Sequence, residues 1–384
     1  MEARVATNAE SDSKLAGTQL ATELRRLFGD VPKAVVIFAA PEHNHEDLLL
    51  SMQKDLPGAL LVGASSAGEF TNATVGQGSV CVLGLSGDDA SFAISIGRGL
   101  KDNPAASARQ MAAGLATRAP AFPFRSALVM TDALAGHADI LVDELTVATA
   151  GQHQFFGGGA GDNAQFRRTT VFAGVEVLSD AAVALEILSS KPLGVGVSHG
   201  WRPSSEAYRV TEADGMRLIS LDGFPAIEMF AEHAEATGQR LDRDDALPHF
   251  LHNIIGIDTG SGHRLRVPLA TLEDGSVLCA AEIPTGSLVR IMRTDPASAI
   301  QAAERAAAAA SSVVKGPAAG ALFFDCVATR LRMGEEFNTE LSSLQKRFSD
   351  VPFAGCNTHG QIARAQGQFE GFHNCTAVVC VFPE

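Results

Sequence analysis

A glycine-rich stretch near the middle of the chain constrains the fold more than any other feature. In Gln152–Asp162 two phenylalanines, Phe155 and Phe156, run directly into four glycines within five positions. Glycine allows another segment or a ligand to approach the backbone closely. Such a run therefore predicts either a strand end at a binding site or a crowded contact between segments. The two interpretations are compatible, and both stay open at this point.

The same pattern occurs twice more, as an apolar strand end followed by a bend of small residues. The two further bends are Gly63–Glu69 and Gly355–Gln361. A short apolar strand candidate and a helical stretch precede each bend. The strand candidates are Lys33–Ala40, Ser126–Thr131 and Gly320–Cys326, and the helices are centred on Leu49 and Met52, on Leu141–Ala148 and on Phe337–Phe348. A strand–helix–strand–bend unit thus occurs three times.

These units predict an α/β fold with two related halves and mixed sheets. In a strand–helix–strand unit the two strands normally lie parallel, so equivalent bends occur at the same end of the sheet. We therefore expect the three bends to converge on one face and to line one cavity. The predicted divisions are an N-terminal tail and helix (1–29), a first domain (30–222) and a second domain (223–384).

Composition describes a soluble globular protein and excludes several classes of partner. The chain has 384 residues, of which 46% are apolar, and a formal net charge of −14. This charge disfavours binding to nucleic acid or to anionic membranes. The polar N-terminus lacks a signal-peptide core, no apolar run approaches the length of a membrane span, and the six cysteines form no Cys-x-x-Cys pair. A reduced cytoplasmic location is expected.

Local signals between the units give further predictions. Residues 1–13 read as a loose terminus. Ser79–Leu85 and Ala90–Ile96 read as the two strands of a hairpin around Ser86–Asp89. Asp222 is expected to cap a helix that continues to Ala234, and Asp295-Pro296 to start a helix that continues to Ala309.

The bends also carry polar residues that suggest a ligand site. Glu69 and Asp162 occupy similar places in the first two bends, and Gln361 does so in the third. Two carboxylates and an amide on one face suit a polar or cationic ligand, although carboxylates at turns also accept backbone N–H bonds. The predicted ligand-binding residues are Ser65, Ser66, Gly68, Glu69, Gly158, Gly159, Gly161, Asp162, Asn357, His359 and Gln361.

Two histidines and two serines suggest more specific chemistry. His359 and His373 lie in and just after the third bend, where a neutral imidazole suits haem iron. His153 and His199 lie at other predicted strand ends, and for each of the four a hydrogen-bonded polar role is the alternative. Ser65 and Ser66 lie in a segment one residue too long for a Gly-x-Ser-x-Gly elbow, and the sequence nominates no base for either.

Several ordered stretches resemble the FIST family of sensory ligand-binding proteins, from about Pro32 onward. They are Val62–Glu69, Gly157–Asp162, Gly194–Gly196 through Gly200-Trp201, Pro284–Gly286 through Arg293, Asp325–Val327, Pro352–Gly360 and His373–Thr376. The resemblance covers the N-terminal and C-terminal FIST regions. One departure is His359-Gly360-Gln361, where the family usually has Tyr-Gly-Glu; this exchange removes a carboxylate and supplies an imidazole.

The resemblance implies a cytoplasmic small-ligand sensor, without established enzyme activity, that acts in trans. Some stand-alone bacterial members are haem proteins that respond to nitric oxide and regulate a partner histidine kinase. The first hypothesis is thus a sensor that binds haem b, with His359 or His373 as the iron ligand and a histidine kinase or other signalling protein as partner. The alternative is a module that binds a small polar metabolite such as an amino acid. A serine hydrolase is the third hypothesis, and homo-oligomer formation is a further expectation.

Overall fold

The structure, a computed structural model, describes residues 1–115, 121–260, 262–364 and 371–384. The helices are α1 Ser13–Phe28, α2 His45–Asp55, α3 Pro104–Ala113, α4 Ala138–Ala148, α5 Ala226–Thr237, α6 Leu247–Phe250, α7 Pro296–Val313, α8 Val327–Met333 and α9 Phe337–Arg347, with 3₁₀ helices at Ala133–Ala135 and Gly334–Glu336. The first strands are β1 Glu2–Asn8, β2 Ala34–Ala39, β3 Leu60–Ser65, β4 Glu69–Thr71, β5 Val75–Gly76, β6 Val80–Ser86, β7 Ala90–Arg98, β8 Phe124–Thr131, β9 Gln154–Gly159, β10 Val171–Ala173, β11 Glu176–Leu178, β12 Ala181–Ser189 and β13 Gly194–Ser198. The remaining strands are β14 Arg202–Pro203, β15 Tyr208–Asp214, β16 Arg217–Leu221, β17 Phe224–Pro225, β18 Ile254–Asp258, β19 His263–Arg266, β20 Pro268–Thr271, β21 Val277–Cys279, β22 Leu288–Arg293, β23 Ala318–Cys326, β24 Phe353–Thr358, β25 Gln361–Arg364, β26 Gly371–His373 and β27 Ala377–Pro383.

Three six-stranded sheets share one plan. Their strand orders are β1-β6-β2-β3-β10-β11, β7-β12-β8-β9-β25-β26 and β13-β27-β23-β24-β4-β5. In each sheet the two strands of one repeat unit lie parallel at the centre, and the other neighbours are antiparallel. The mixed α/β fold and the three strand–helix–strand units are confirmed.

The last two strands of each sheet come from a different repeat unit. After its bend, the first unit gives β4 and β5 to the third sheet, the second gives β10 and β11 to the first sheet, and the third gives β25 and β26 to the second sheet. Each bend therefore carries the chain from one sheet to its neighbour. This cyclic exchange brings the three bends together at one end of the body.

The inner faces of the three sheets share one apolar core. One phenylalanine from each sheet meets there: Phe324 lies 5.6 Å from Phe38 and 6.5 Å from Phe156, measured between ring centroids. Helices α1 and α2 cover the outer face of the first sheet, α3 and α4 that of the second, and α7 and α9 that of the third. Burial on both faces explains why the central strands read as continuous apolar runs.

A fourth sheet forms a separate layer, which we call the inserted unit (residues 202–293). Its nine strands follow the order β19-β18-β22-β15-β16-β21-β20, with β14 beside β22 and β17 beside β16. Its own core includes Phe230 and Phe250. A second apolar cluster joins it to the body, where Leu265 and Val267 meet Cys326.

Two local predictions are wrong. Residues 2–8 form β1, which pairs with β6 and buries Ala3 and Ala6, so the terminus is held in the first sheet. β6 and β7 exist as predicted but form no hairpin, because β6 pairs with β1 and β2 whereas β7 pairs with β12. The turn residues between them predict that the chain changes direction. They do not determine which strand each of the two pairs with.

The two predicted helix starts have different outcomes. The Asp295 carboxylate accepts a 2.7 Å hydrogen bond from the Ser298 N–H, so its capping role is confirmed. Asp222 does not cap α5, since its carboxylate accepts from the Arg209 N–H and Pro225 holds the cap position. In the described part of the chain, no helix has both the length and the apolar composition needed to cross a membrane.

Candidate functional site

The three bends contact one another directly at one end of the body. We call them corner 1 (residues 65–69), corner 2 (159–171) and corner 3 (357–361). Two backbone hydrogen bonds join each pair of corners: Asn357 N to Gly68 O and Ala67 N to Asn357 O, Gly159 N to Gly360 O and His359 N to Gly159 O, and Ser65 N to Thr170 O and Gly161 N to Ser65 O, at 2.8–3.0 Å. The predicted convergence is confirmed, but the prediction that the three bends line one cavity is wrong. The corners fill the space between them with their own backbone, and cavities lie at the junctions between neighbouring units.

Three equivalent glycines allow the strands that lead into the corners to approach their neighbours. A Cβ atom at Gly63, Gly157 or Gly355 would lie 1.8, 2.1 or 2.2 Å from a carbonyl oxygen of the adjacent parallel strand. At Gly161 it would lie 2.7 Å from the Ala67 nitrogen of corner 1. The glycine run therefore has a structural role in close contacts between segments.

Strand register shows which corner residues are equivalent. Glu69 lies opposite Cys356, Gln361 opposite Gly158, and Val171 opposite Ala64. Each partner directly follows one of the three equivalent glycines. Glu69 and Gln361 are thus equivalent to Val171, and the predicted equivalence of Asp162 is wrong because corner 2 contains additional residues before its strand begins.

Asp162 organises those additional residues. Its two carboxylate oxygens accept from the backbone N–H groups of residues 165–168, at 2.6–3.1 Å. A carboxylate with four such donors is fully engaged in shaping a loop. The structure thus supports the capping interpretation, and the predicted ligand contact at Asp162 stays a prediction.

The serines of corner 1 are held by internal hydrogen bonds. Ser65 Oγ accepts from the Thr170 N–H at 3.0 Å. Ser66 donates its hydroxyl to the Glu69 carboxylate, which also accepts from Ser79 Oγ at 2.9 Å. Burial raises the pKa of Glu69 to about 7, although these hydrogen bonds oppose the shift. Since Ser66 and Glu69 are 0% and 2% exposed and satisfy each other's hydrogen bonds, the geometry favours a structural role.

The junction of the third and first units holds an open pocket of about 490 Å³. A Cβ atom at Gly68 would lie 2.4 Å from Arg330 Nη1 and 2.9 Å from Asn357 Oδ1, so both side chains lie against this glycine. Asn357 is 1% exposed, and within the described residues its amide oxygen and nitrogen both lack a hydrogen-bond partner. Arg330 was missed by sequence reasoning, although it follows the C-terminal end of a parallel strand, where ligands commonly bind in α/β sheets.

The junction of the second and third units holds a partly open cavity, which we call the junction cavity, of about 160 Å³. The body contributes residues that follow β8, corners 2 and 3, and the start of α8. The inserted unit covers the opening with Met216, Leu269, Cys279, Ala281 and Glu282. The cavity therefore lies between two parts of the molecule that have separate cores.

His359 occupies one wall of the junction cavity. Its ring stacks on Phe166 at 4.9 Å, and its Nε2 lies 3.5 Å from an Asp162 oxygen, beyond good hydrogen-bond geometry. Among the described residues neither ring nitrogen has a hydrogen-bond partner. Burial lowers the pKa of His359 to about 4, although Asp162 opposes the shift. The imidazole is thus neutral, and both of its nitrogens are buried without a hydrogen-bond partner among the described residues.

The other candidates in the third unit lie in the sheet. His373 pairs with Gln361 between β26 and β25, and burial lowers the pKa of His373 to about 3. Gln361 donates to Thr358 Oγ1 at 2.9 Å and accepts from the Thr376 N–H at 3.1 Å. These contacts favour structural roles, and the ligand roles of both residues stay predictions.

Three ion pairs join the inserted unit to the body beside the junction cavity, one of them between Arg264 Nη1 and Asp139 Oδ1 at 3.6 Å. Arg266 Nη2 donates to both oxygens of Asp139 at 2.9 Å, and the arginine is 1% exposed. His137 Nδ1 lies 2.9 Å from Glu282 Oε1. Sequence reasoning missed these residues because the partners are more than 120 positions apart and no local pattern pairs them.

The remaining junction, between the first and second units, carries a polar pocket of about 440 Å³ beside the start of α2. His45 is engaged there, with Nε2 3.0 Å from Ala40 O and Nδ1 3.1 Å from Thr170 Oγ1. Arg167 and Arg168 line its exposed rim. All three junctions thus bear a pocket, but their linings differ.

The comparisons with known proteins decide the family. Residues 33–223 match the FIST N domain and residues 226–364 match the FIST C domain. The chain belongs to the FIST family. FIST domains are regarded as sensory and signalling domains, so this chain carries a sensory FIST pair.

Similar proteins add no function to this assignment. The FIST chain is 24% identical over 399 residues to an uncharacterized protein of Mycobacterium tuberculosis, covering 100% of both. It is 27% identical over 221 residues to an uncharacterized protein of Mycobacterium bovis, covering 56% of each. A cyanuric acid hydrolase from A. caulinodans is similar over 99% of both chains with a TM-score of 0.29 and 9% identity.

Proposed function

We propose that this FIST protein is a cytoplasmic sensor that binds a compact small molecule in the junction cavity and signals to a partner in trans. One observation carries the proposal: the cavity is lined jointly by the body and the inserted unit, with the unpartnered imidazole of His359 in its wall. Concave, largely apolar pockets with a few convergent polar groups are the usual form of small-molecule sites. The partner, a histidine kinase or another signalling protein, rests on the family resemblance.

A ligand at this place would alter the contact between the two parts. Its free energy of binding would add to the ion pairs that hold the inserted unit on the body, and so stabilise the closed arrangement. The expected ligand has an apolar portion that faces Leu269 and Ala281 and a hydrogen-bonding group that faces His359. The six cysteines are free and buried, which suits a reducing compartment.

Haem fits the residues only in part. The neutral imidazole of His359 is a suitable axial ligand. However, the cavity of about 160 Å³ is smaller than the roughly 300–1,000 Å³ of sites for drug-sized ligands, and a macrocycle is larger still. In the described residues no cluster of three or more His, Cys, Asp or Glu side chains is placed to hold a metal ion. Haem and nitric oxide sensing stay predictions, and the geometry supports a compact metabolite better.

The open pocket beside corner 1 favours a second candidate of the same class. Arg330 and the unpartnered amide of Asn357 suit the carboxylate of an amino acid, and Glu69 lies behind them. Ligand position therefore separates the two candidates. A carboxylate ligand of this pocket should lose affinity when Arg330 is replaced with Gln, whereas a ligand of the junction cavity should not.

A thermal-shift screen with a panel of small metabolites, amino acids and haemin tests the proposal. A ligand at 100 times its Kd raises the free energy of unfolding by about 2.7 kcal/mol, which a melting curve detects. We expect at least one compact compound to stabilise the protein and His359→Ala to abolish that shift. A sharp Soret band after haemin addition, lost in His359→Ala or His373→Ala, would favour haem. No shift with any compound would contradict the proposal.

A further inference from the structure

Two cysteines that are distant in sequence meet where the inserted unit contacts the body. Cys326 ends β23 and directly precedes α8, and Cys375 lies between β26 and β27. Both are free thiols in one apolar cluster with Trp201, and they are 3% and 5% exposed. Cys326 also lines the junction cavity. A small molecule that enters the cavity would therefore lie beside Cys326.

Several hydrogen-bond donors surround the sulfur of Cys326. The Cys375 side chain is the strongest contributor, and the backbone N–H groups of Cys375 and Ala328 and the side chain of Gln361 add to it. These donors lower the pKa of Cys326 to about 6, although burial opposes the shift. A thiolate at neutral pH is the nucleophilic form of cysteine.

A second cysteine in the same cavity provides an internal comparison. Cys279 lines the opposite wall, on the inserted unit. Burial raises the pKa of Cys279 to about 12, although Arg266 opposes the shift. One cavity thus has two cysteines in its wall whose pKa values are shifted in opposite directions, and only Cys326 is activated.

We propose that Cys326 is a redox-reactive thiolate that reduces hydrogen peroxide entering the junction cavity and then forms a disulfide with Cys375. In the first step the Cys326 sulfur attacks one peroxide oxygen, the S–O bond forms and the O–O bond breaks. The departing hydroxide takes the proton of the Cys375 thiol and leaves as water. The Cys375 sulfur then attacks the sulfenic sulfur, the S–S bond forms, the S–O bond breaks, and the second hydroxide takes a proton from solvent. Two thiols are oxidised and one peroxide is reduced to two waters.

The disulfide would form next to a contact between the two parts of the molecule. Cys375 directly follows Asn374, whose side-chain oxygen accepts a 3.4 Å hydrogen bond from the Val267 N–H of the inserted unit. Cys375 has φ of 51°, in the left-handed region that is uncommon for residues other than glycine. A new covalent bond at this position would change how the inserted unit is held. The inference concerns the thiols themselves and does not depend on the ligand of the proposed sensor.

Alkylation of the full-length protein tests the thiolate. Reduced, peroxide-free protein is treated with iodoacetamide from about pH 5 to about pH 9, and each cysteine is quantified by peptide mass spectrometry. Cys326 should react first, with half its maximal rate near pH 6, whereas Cys279 should stay unreactive. Equal rates at Cys326 and Cys279, or reaction of Cys326 only above about pH 8.5, would overturn the proposal.

Peroxide treatment of the same protein tests the disulfide. With one equivalent of hydrogen peroxide, the wild type should lose two hydrogens and yield a Cys326–Cys375 cross-linked peptide that dithiothreitol separates. Cys375→Ala should instead retain a sulfenic acid that dimedone traps, and the matched control Cys279→Ala should behave as wild type. If Cys375→Ala fails to fold, the wild-type cross-link still decides the outcome. A wild type that forms no Cys326–Cys375 cross-link would overturn the proposal.

Discussion

Two of the junctions between neighbouring units share one backbone plan, but the residues that line their pockets differ chemically. The junction of the second and third units holds the junction cavity, whose wall contains neutral His359. The junction of the third and first units holds an open pocket with Arg330 and, behind it, buried Glu69. The inserted unit covers only the former of the two. The repeated frame thus determines where the pockets lie. The residues that follow the first strand of each unit, together with the inserted unit, determine what a pocket can bind.

The largest expected effect on the free energy of unfolding comes from the buried ion pair that holds the inserted unit over the junction cavity. Asp139→Ala leaves the Arg266 guanidinium, which is 1% exposed, without its carboxylate. Breaking a buried pair by removing one partner costs about 3–5 kcal/mol. Urea unfolding should show a loss of this size. The matched control is Glu176→Ala, which removes an exposed pair with Arg98 and should cost less than about 1 kcal/mol. Equal losses in the two variants would contradict the account.

A change in the shared frame should weaken both junctions together. Gly63→Ala places a methyl group 1.8 Å from the Ile37 carbonyl oxygen in the parallel strand. Overpacking of this kind costs about 1–3 kcal/mol, and a fixed backbone neighbour places the loss at the upper end. Equilibrium unfolding measures the loss. Wild-type stability in Gly63→Ala would show that the strands separate readily and that the glycine is dispensable.

The two junctions should respond to pH in opposite directions, and Glu69 governs the open one. The pKa of Glu69 is raised from 4.5 to about 7 in the folded protein, so its contribution is complete below about pH 4.5 and is lost as pH rises through about 7. Glu69→Gln should remove this loss, which is roughly 1–3 kcal/mol. Denaturant unfolding of both proteins at about pH 5 and about pH 8 measures the difference. An identical pH dependence in the two proteins would contradict the assigned burial.

His359, in the junction cavity, gives a pH dependence of stability with the opposite sign. Its pKa is lowered from 6.5 to about 4, so its contribution is complete above about pH 6.5 and is lost as pH falls through about 4. His359→Gln should flatten the stability profile between these values, by on the order of 1–3 kcal/mol. A steeper loss of stability in the variant on acidification would count against a neutral, buried imidazole.

The smallest effect on stability is expected from Phe166, which lies in the wall of the junction cavity. Phe166 is 45% exposed and stacks on His359, so Phe166→Ala should change the free energy of unfolding by less than about 1 kcal/mol. The pKa of His359 should nevertheless rise. Burial is the main cause of its lowered value, and in the variant solvent reaches the ring. An NMR titration of the imidazole measures that shift. An unchanged titration curve would show that Phe166 does not shield the ring.

Sequence reasoning predicted the frame well because its signals are local. Each unit contains an apolar strand, an amphipathic helix and a glycine bend that follow one another directly in sequence, and these specify one another through periodicity and turn chemistry. The parallel pairing of β2 with β3, β8 with β9 and β23 with β24 follows from this pattern. The Asp295 cap was also predictable, since the capping residue and its partner are three positions apart.

The site was less predictable because it is assembled from distant segments. Corner 2 contains additional residues before β10 begins, and these separate Asp162 from the position of Glu69. Arg266 and Asp139 lie 127 positions apart, and the pairing of Cys326 with Cys375 likewise depends on tertiary contact. His359 was identified from its place in a bend, but its lowered pKa depends on Phe166 and on the inserted unit that encloses it.

Native mass spectrometry after incubation with a metabolite library tests the central claim most directly. The wild type is compared with Ala281→Phe, which fills the junction cavity, and with Asn338→Phe, which places the same side chain in the open pocket. The account predicts a bound small molecule on the wild type and on Asn338→Phe, and none on Ala281→Phe. The same bound mass on Ala281→Phe, or its loss only from Asn338→Phe, would contradict a sensory site in the junction cavity.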